Sequence, residues 1–259
     1  MTQLSVIIIT LNEAANIEAC LKSVSFADEV VVLDGGSSDD TVDRARRLGA
    51  VVQVSPDWPG FGRQKNRALE LARYPWVLSL DADERVTLEL AREIRQRLAD
   101  GASAAYEIPR QTQFCGRWIK HCGWTPDYVL RLFQRDSARF SEDLVHERAV
   151  SSAGVPQRLT SALLHFSYPT PAHYWRKLER YSQAWADQRF AEGRTTSMTR
   201  AGLAAVVAFL RSYIFRLGFL DGSMGFAVCV MQAQAAFGKY FALYCLNLEH
   251  DVSSPPAAH

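Results

Sequence analysis

The chain has 259 residues, enough to bury a full core as one large domain or as a domain with an appendage. Its 48% hydrophobic and 22% charged residues fit an ordinary globular protein, and a formal net charge of +1 gives no bulk electrostatic case for nucleic acid. The five cysteines follow no framework spacing, and Cys115, His121 and Cys122 lack the second ligand pair that a zinc site needs, so reduced thiols are expected.

The first residues carry no basic n-region or cleavage pattern and enter a strand at once, which predicts a protein that stays in the cytosol. Ser5 to Thr10 is continuous and β-branched, the pattern of a buried parallel strand. After the Leu11-Asn12-Glu13 loop, Ile17, Leu21 and Val24 mark an amphipathic helix. Glu29 to Leu33 predicts a second strand ending at Asp34-Gly35-Gly36-Ser37-Ser38-Asp39-Asp40, and that acidic loop caps a helix from Thr41 to Leu48. A third strand, Val51 to Val54, precedes a helix from Gly62 to Ala72 that carries Arg63, Lys65, Asn66 and Arg67. Trp76 to Leu80 reads as a buried strand, and a helix follows from Thr87 to Leu98. Strands alternating with helices in this way argue for a parallel α/β sheet.

Polar residues gather at the C-terminal end of each strand: Asn12-Glu13, then Asp34, then Asp81 and Asp83 with Glu84 beside them. Open α/β sheets bind ligands at that edge. Side chains two apart on extended backbone point the same way, so both aspartates can face one ligand. Two hard oxygen donors there suit Mg²⁺ or Mn²⁺ held jointly with substrate phosphates. The plainer alternative is a strand followed by a helix N-cap. No Gly-x-Gly-x-x-Gly follows the first strand and no Gly-Lys-Ser/Thr occurs, which disfavours dinucleotide folds and removes P-loop hydrolases. What remains is a nucleotide site built from acidic groups and a metal. Carboxylates would accept hydrogen bonds from a ribose diol or a uracil N–H while the metal neutralises a diphosphate.

Further along, Ala105 to Ile108 and Tyr128 to Phe133 read as strands, and Gln111 to Trp124 as an aromatic-rich hairpin. Trp118 and Trp124 suit either a sugar ring or core packing. Phe140 to Glu147 is a second concentration of ionisable groups, and His165 follows a short apolar run. From Pro171 the pattern is helical, with Tyr174, Leu178, Tyr181 and Trp185 on one face and Arg176, Lys177, Arg180 and Arg189 giving basic character. Ala201 to Leu210 is apolar, but Arg211 and Arg216 are expected to interrupt it before it can span a bilayer; Gly225 to Gly238 carries Gln232 and Gln234. Two readings stand: a helical bundle packed on the catalytic domain or on another subunit, or a helical pair in the membrane interface with arginines at phosphates.

Thr10-Leu11-Asn12-Glu13, Asp34-Gly35-Gly36-Ser37-Ser38-Asp39, Lys65-Asn66-Arg67-Ala68 and Asp81-Ala82-Asp83-Glu84 together resemble the ordered motif set of glycosyltransferase family 2. The resemblance implies a GT-A fold and inverting transfer of sugar from a nucleotide sugar. It implies that Thr10, Asn12, Glu13, Asp34, Gly36, Lys65, Asp81, Ala82 and Asp83 form the nucleotide-sugar site, with Glu13 and Asp34 at the nucleoside. Asp81 and Asp83 would contact sugar or diphosphate, Asp83 the nearer to a divalent metal, Mg²⁺ or Mn²⁺. A late histidine completes the metal or diphosphate site in many members, for which His165 is the best-placed candidate; a buried structural histidine is the equal alternative. Direct displacement at an anomeric carbon needs a carboxylate to take the acceptor hydroxyl's proton. The resemblance places that base in Phe140 to Glu147, with Glu147 favoured and Asp143 second.

Leu217-Gly218-Phe219-Leu220-Asp221-Gly222 and Lys239-Tyr240 are similar to the tail of the lipopolysaccharide inner-core β-1,4-glucosyltransferases within the same family. That likeness implies UDP-glucose as donor, a lipid-linked core heptose as acceptor, and a peripheral location on the inner face of the cytoplasmic membrane. The expected organisation is a GT-A α/β domain over 1–168, with a Rossmann-like and mostly parallel sheet. A helical C-terminal region over 169–250 and a disordered tail over 251–259 complete it. The rival functions are a polyprenyl-phosphate glycosyltransferase and a non-catalytic nucleotide-sugar-binding scaffold at a membrane.

Overall fold

Strand β1 (Leu4–Thr10) is buried at every position, because Val6 and Ile8 pack into one core layer and Ile7 and Ile9 into the other. It lies between β2 (Glu29–Asp34) and β4 (Trp76–Asp81), parallel to both, and β3 (Val51–Val54) pairs in parallel outside β2. The register sets Thr10 opposite Asp34 and Ile9 opposite Asp81, so the polar residues that end these strands share one sheet edge. Helix α1 (Ile17–Ser23) supplies Ile17, Cys20 and Leu21 to the first core layer, and α2 (Thr41–Arg47) supplies Ala45. Helix α3 (Phe61–Leu71) supplies Ala68 and Leu69 to the second layer.

The computed structural model describes residues 2–101, 103–141 and 148–253, divided between two units. The first comprises Met1–Thr112 and Pro126–Ser167. After β4 the sequence does not pass straight into a helix: Glu84–Val86 forms β5, and α4 (Leu88–Asp100) begins behind it. The N-cap of α4 is Thr87, whose side chain accepts from the Leu90 N–H. The acidic trio therefore does not cap the helix, and the plainer alternative for Asp81-Ala82-Asp83-Glu84 falls.

The remaining strands are β6 (Ala105–Phe114), β7 (Arg117–Trp118), β8 (Asp127–Gln134), β9 (Ala138–Phe140), β10 (Ala149–Ser151), β11 (Gln157–Arg158) and β12 (Leu163–Tyr168). The sheet runs β3-β2-β1-β4-β8-β6-β12-β5. It is parallel through its N-terminal strands, as alternating strands and helices predict, and antiparallel where β8 meets β4 and β6, and where β12 meets β5. The fold is α/β of the GT-A kind, a mixed sheet whose parallel part brings the polar strand ends to one edge.

The second unit comprises Gln113–Thr125 and Tyr168–His259. Its helices are α5 (Pro171–Ala191), α6 (Met198–Leu210) and α7 (Gly222–Ser253). Gln113 and Trp118 pair across the expected hairpin. Trp124 packs against Phe114 and Tyr168, so it is a core residue here. Arg211 does not end the apolar run. The helix continues through it as a π-turn, Arg211–Phe215, because the helical ladder adapts by shifting its hydrogen bonds rather than breaking. Met198–Phe215 is consequently long and apolar enough to cross a membrane, with 11% of it buried in the protein. Of the expected tail, the helix covers residues through Ser253, and 254–259 lie outside the described residues.

The Leu217-Gly218-Phe219-Leu220-Asp221-Gly222 stretch is a packing device. A Cβ on Gly225 would stand 2.0 Å from the Gly218 carbonyl oxygen, and one on Gly218 would stand 2.6 Å from Cys229 Sγ. Asp221 accepts from the backbone N–H groups of Lys120 and His121 and pairs with the His121 ring at 2.9 Å. That carboxylate fixes the turn after β7 to the helices of its own unit.

Candidate active site

Thr10 closes β1 with its hydroxyl donated to Asp34 at 2.8 Å. Asp34 is fully buried; its other bonds come from the N–H groups of Gly36 and Ser37 and the hydroxyl of Ser37. All of its donors come from the adjoining strand end and its own loop. It shapes the loop that faces the ligand edge. Gly36 at φ +92° lets that loop turn, and the face of Trp58 lies where a Cβ on Gly35 would sit, 2.4 Å away. Trp58, absent from the expected site, packs its ring against this loop. Its only advance signal was a tryptophan in a polar stretch after a strand.

Asn12 adopts φ +57° and its side-chain oxygen accepts from the Ser38 N–H at 2.9 Å, tying the first loop to the second. Glu13 accepts from the Asn16 amide at 2.9 Å and remains partly exposed on this edge.

Asp81 and Asp83 engage different partners. Asp81 is the last residue of β4, whereas Ala82 and Asp83 form a turn, and the two-residue alternation of extended chain stops there. Ala82 is buried in the first core layer, and its carbonyl accepts from Arg85. Asp81 takes Lys65 on one oxygen at 2.9 Å and Arg131 on the other at 2.5 Å. Burial pushes its carboxyl up, but Arg131 and Lys65 outweigh that and hold it well below the usual carboxylate range. Arg131 also reaches Glu84 at 2.7 Å, Arg110 lies 3.5 Å from Glu84, and Arg110 pairs with Asp127 at 2.7 Å. Three carboxylates thus alternate with three cations, which is how a charged cluster survives burial. Arg131 and Arg110 are not among the expected site residues. The available signal was an arginine inside the apolar alternation Tyr128 to Phe133, where a charge has to meet a partner.

Asp83 lies beside His165. Its Oδ2 lies 3.3 Å from His165 Nε2, and its carbonyl accepts from the Phe166 N–H. The second ring nitrogen of His165 lies 3.3 Å from the Thr112 hydroxyl, which orients the ring with Nε2 toward Asp83. A carboxylate oxygen and an imidazole nitrogen side by side suit a hard or borderline divalent cation. Among the described residues no group of three His, Cys, Asp or Glu side chains is poised around one point. The fit is that of an ion sharing its coordination between two side chains, substrate oxygens and water. Asp81, with both oxygens engaged by cations, is not placed as a third ligand.

Lys65, Asn66 and Arg67 each tie α3 to a different segment. Lys65 reaches Asp81; Asn66 exchanges two 2.9 Å hydrogen bonds with the backbone of Phe140; Arg67 grips Asp57 at 2.8 Å. Phe140 pairs with Ala149, and Ser141 with Arg148, at the two ends of the acidic segment. Glu147 and Asp143, the two expected bases, lie outside the described residues.

Comparison with known proteins gives the family. Residues 5–162 match the model of glycosyl transferase family 2, and the chain belongs to that family. An uncharacterised glycosyltransferase of Rickettsia prowazekii is 30% identical over 96% of this chain and 89% of that one. LpsC of Rhizobium meliloti, a lipopolysaccharide core biosynthesis glycosyltransferase, is 32% identical over 90% of this chain and 89% of that one. Among solved structures, residues 1–349 of Staphylococcus aureus TarS in complex with UDP are 16% identical over 96% of this chain and 92% of that one, with a TM-score of 0.48.

Proposed function

We propose that this family 2 glycosyltransferase transfers a hexose, glucose by its tail motif, from a UDP-sugar to a heptose of a lipopolysaccharide core, with inversion. The observation that carries the reading is the pairing of Asp83 with His165 at the ligand edge beside the neutralised Asp81 cluster. The saccharide side of the proposal is supported by the likeness to LpsC along most of the chain.

Asp83 and His165 are the residues that would hold a divalent cation, which when bound offsets the charge of the donor diphosphate. Thr112 keeps the imidazole in the ligating orientation. Lys65 and Arg131 keep Asp81 ionised and fixed, so the turn at Ala82 and Asp83 presents a preorganised carboxylate to the donor. The loop built on Asp34 and Asn12 shapes the nucleoside end, with Glu13 a partly exposed carboxylate there. A carboxylate of the segment between Ser141 and Arg148, Glu147 first and Asp143 second, takes the acceptor hydroxyl's proton as the oxygen attacks opposite the leaving UDP. The exposed apolar run of the helical unit supports a location at the cytoplasmic face of the membrane, beside a lipid-linked acceptor.

Incubation with UDP-glucose and a heptose-terminated core acceptor tests the reading. A β-linked product supports it. Transfer to polyprenyl phosphate in place of the saccharide, or no turnover of any UDP-sugar, overturns it.

A further inference from the structure

The second unit contains a cavity of about 780 Å³ bounded by α6, the π-turn, α7 and the turn at Cys122 and Gly123. Four cations line it, Arg200, Arg211, Arg216 and Lys239, and none of the lining side chains is acidic. The cluster of three carboxylates and three cations in the first unit shows what a structural charge group looks like in this protein, and this cavity lacks the balancing half. The Arg200 guanidinium lies over the ring of Tyr240, 5.6 Å from its centroid, and that ring meets Trp185 edge-on at 5.1 Å. Such stacking fixes one wall and holds a guanidinium in place.

The opposite character adjoins it. Leu203 and Val207, also in the lining, are 62% and 53% exposed, and the apolar surface continues along α6 through Val206 and Leu210 to Phe215. An exposed apolar strip of this extent marks a surface that meets another apolar phase. A cation-lined cavity opening on such a strip matches a ligand with a phosphate at one end and hydrocarbon at the other.

We infer that the helical unit carries a binding site for an anionic phospholipid. Its phosphate sits among Arg200, Arg211, Arg216 and Lys239, and its acyl chain lies along Leu203 and Val207. The inference rests on the membrane-surface part of the proposed function and sharpens it, since the enzyme would recognise a lipid headgroup rather than lie on the bilayer through apolar contact alone. Polybasic contacts to anionic lipid act additively and are screened by salt.

Flotation of the full chain with phosphatidylcholine vesicles, with and without phosphatidylglycerol, tests this. The expected result is preferential binding to the anionic vesicles, reduced by salt. The preference should fall about fivefold for each charge removed in Arg211→Gln and Lys239→Gln. The charge-keeping Arg211→Lys should restore it, and UDP-sugar hydrolysis should be unchanged in all variants. Absence of binding to either vesicle would refute the membrane reading itself. Equal binding to both vesicles, or an undiminished preference in the doubly neutralised variant, would leave the membrane reading intact and overturn the lipid site. Stabilisation by inorganic phosphate, lost in the same variants without any vesicle preference, would assign the cavity to free phosphate and likewise overturn it. Should the double variant fail to fold, loss of the wild-type preference in high salt and its retention in Arg211→Lys keep the inference open to refutation.

Discussion

Asp81 is tied by two cations, and Glu84 by two as well, with Arg131 common to both. Removing Arg131 leaves the buried Glu84 and the partly exposed Asp81 short of a partner, so Arg131→Met should destabilise the protein by about 3–5 kcal/mol in urea unfolding. The same geometry fixes a pH dependence. The folded carboxyl of Asp81 is depressed relative to the unfolded chain, whose aspartates titrate near about pH 3.9. Its contribution to stability is therefore complete above that value and is lost as pH falls through the lower, folded value. In Lys65→Met the folded value rises toward the unfolded one, so the acid-induced loss of unfolding free energy should still begin at the unfolded value but be smaller and end at a higher pH than in the wild type. His165 depends on Thr112 for orientation, so Thr112→Val should lower apparent Mn²⁺ affinity by about 10- to 100-fold while leaving the fold intact. An unchanged metal dependence in that variant would remove Thr112 from the site.

At the scale of elements, α3 ties three segments with three consecutive residues, Lys65, Asn66 and Arg67. Asn66→Ala forfeits both hydrogen bonds to Phe140 and leaves that strand's backbone groups unsatisfied, at a cost of about 1–3 kcal/mol. Because Phe140 leads into the proposed base segment, the variant should lower kcat more than it raises the KM for donor. In the helical unit, Gly225→Ala would drive a methyl group against the Gly218 carbonyl, and backbone cannot yield as a side-chain tip can. Loss of helical signal at lower temperature than in the wild type is the expected outcome. The parallel strands and their helices were legible because their periods are strong: Ser5 to Thr10 and Val51 to Val54 announce themselves. β5 was not, since its three residues gain their ladder from β12, far away in sequence. The π-turn at Arg211 was equally invisible, as charge placement alone says nothing about how a helix accommodates it.

Across the whole molecule, family and general fold were readable because four short motifs occur in order, each at a strand end or on the helix behind it. The division of labour among their carboxylates was not. Asp34, Asp81 and Asp83 look alike in sequence, yet one organises a loop, one balances two cations and one stands beside a histidine. Which of these roles an aspartate takes depends on long-range partners such as Arg131 and His165, and no local pattern supplies them. The most direct measurement is calorimetric titration of UDP into the wild type and into Asp83→Asn, each with and without Mn²⁺. The account predicts tight, metal-dependent binding to the wild type and loss of the metal-dependent component in the variant. Binding of UDP that is the same with and without metal, or the same in both proteins, would contradict it.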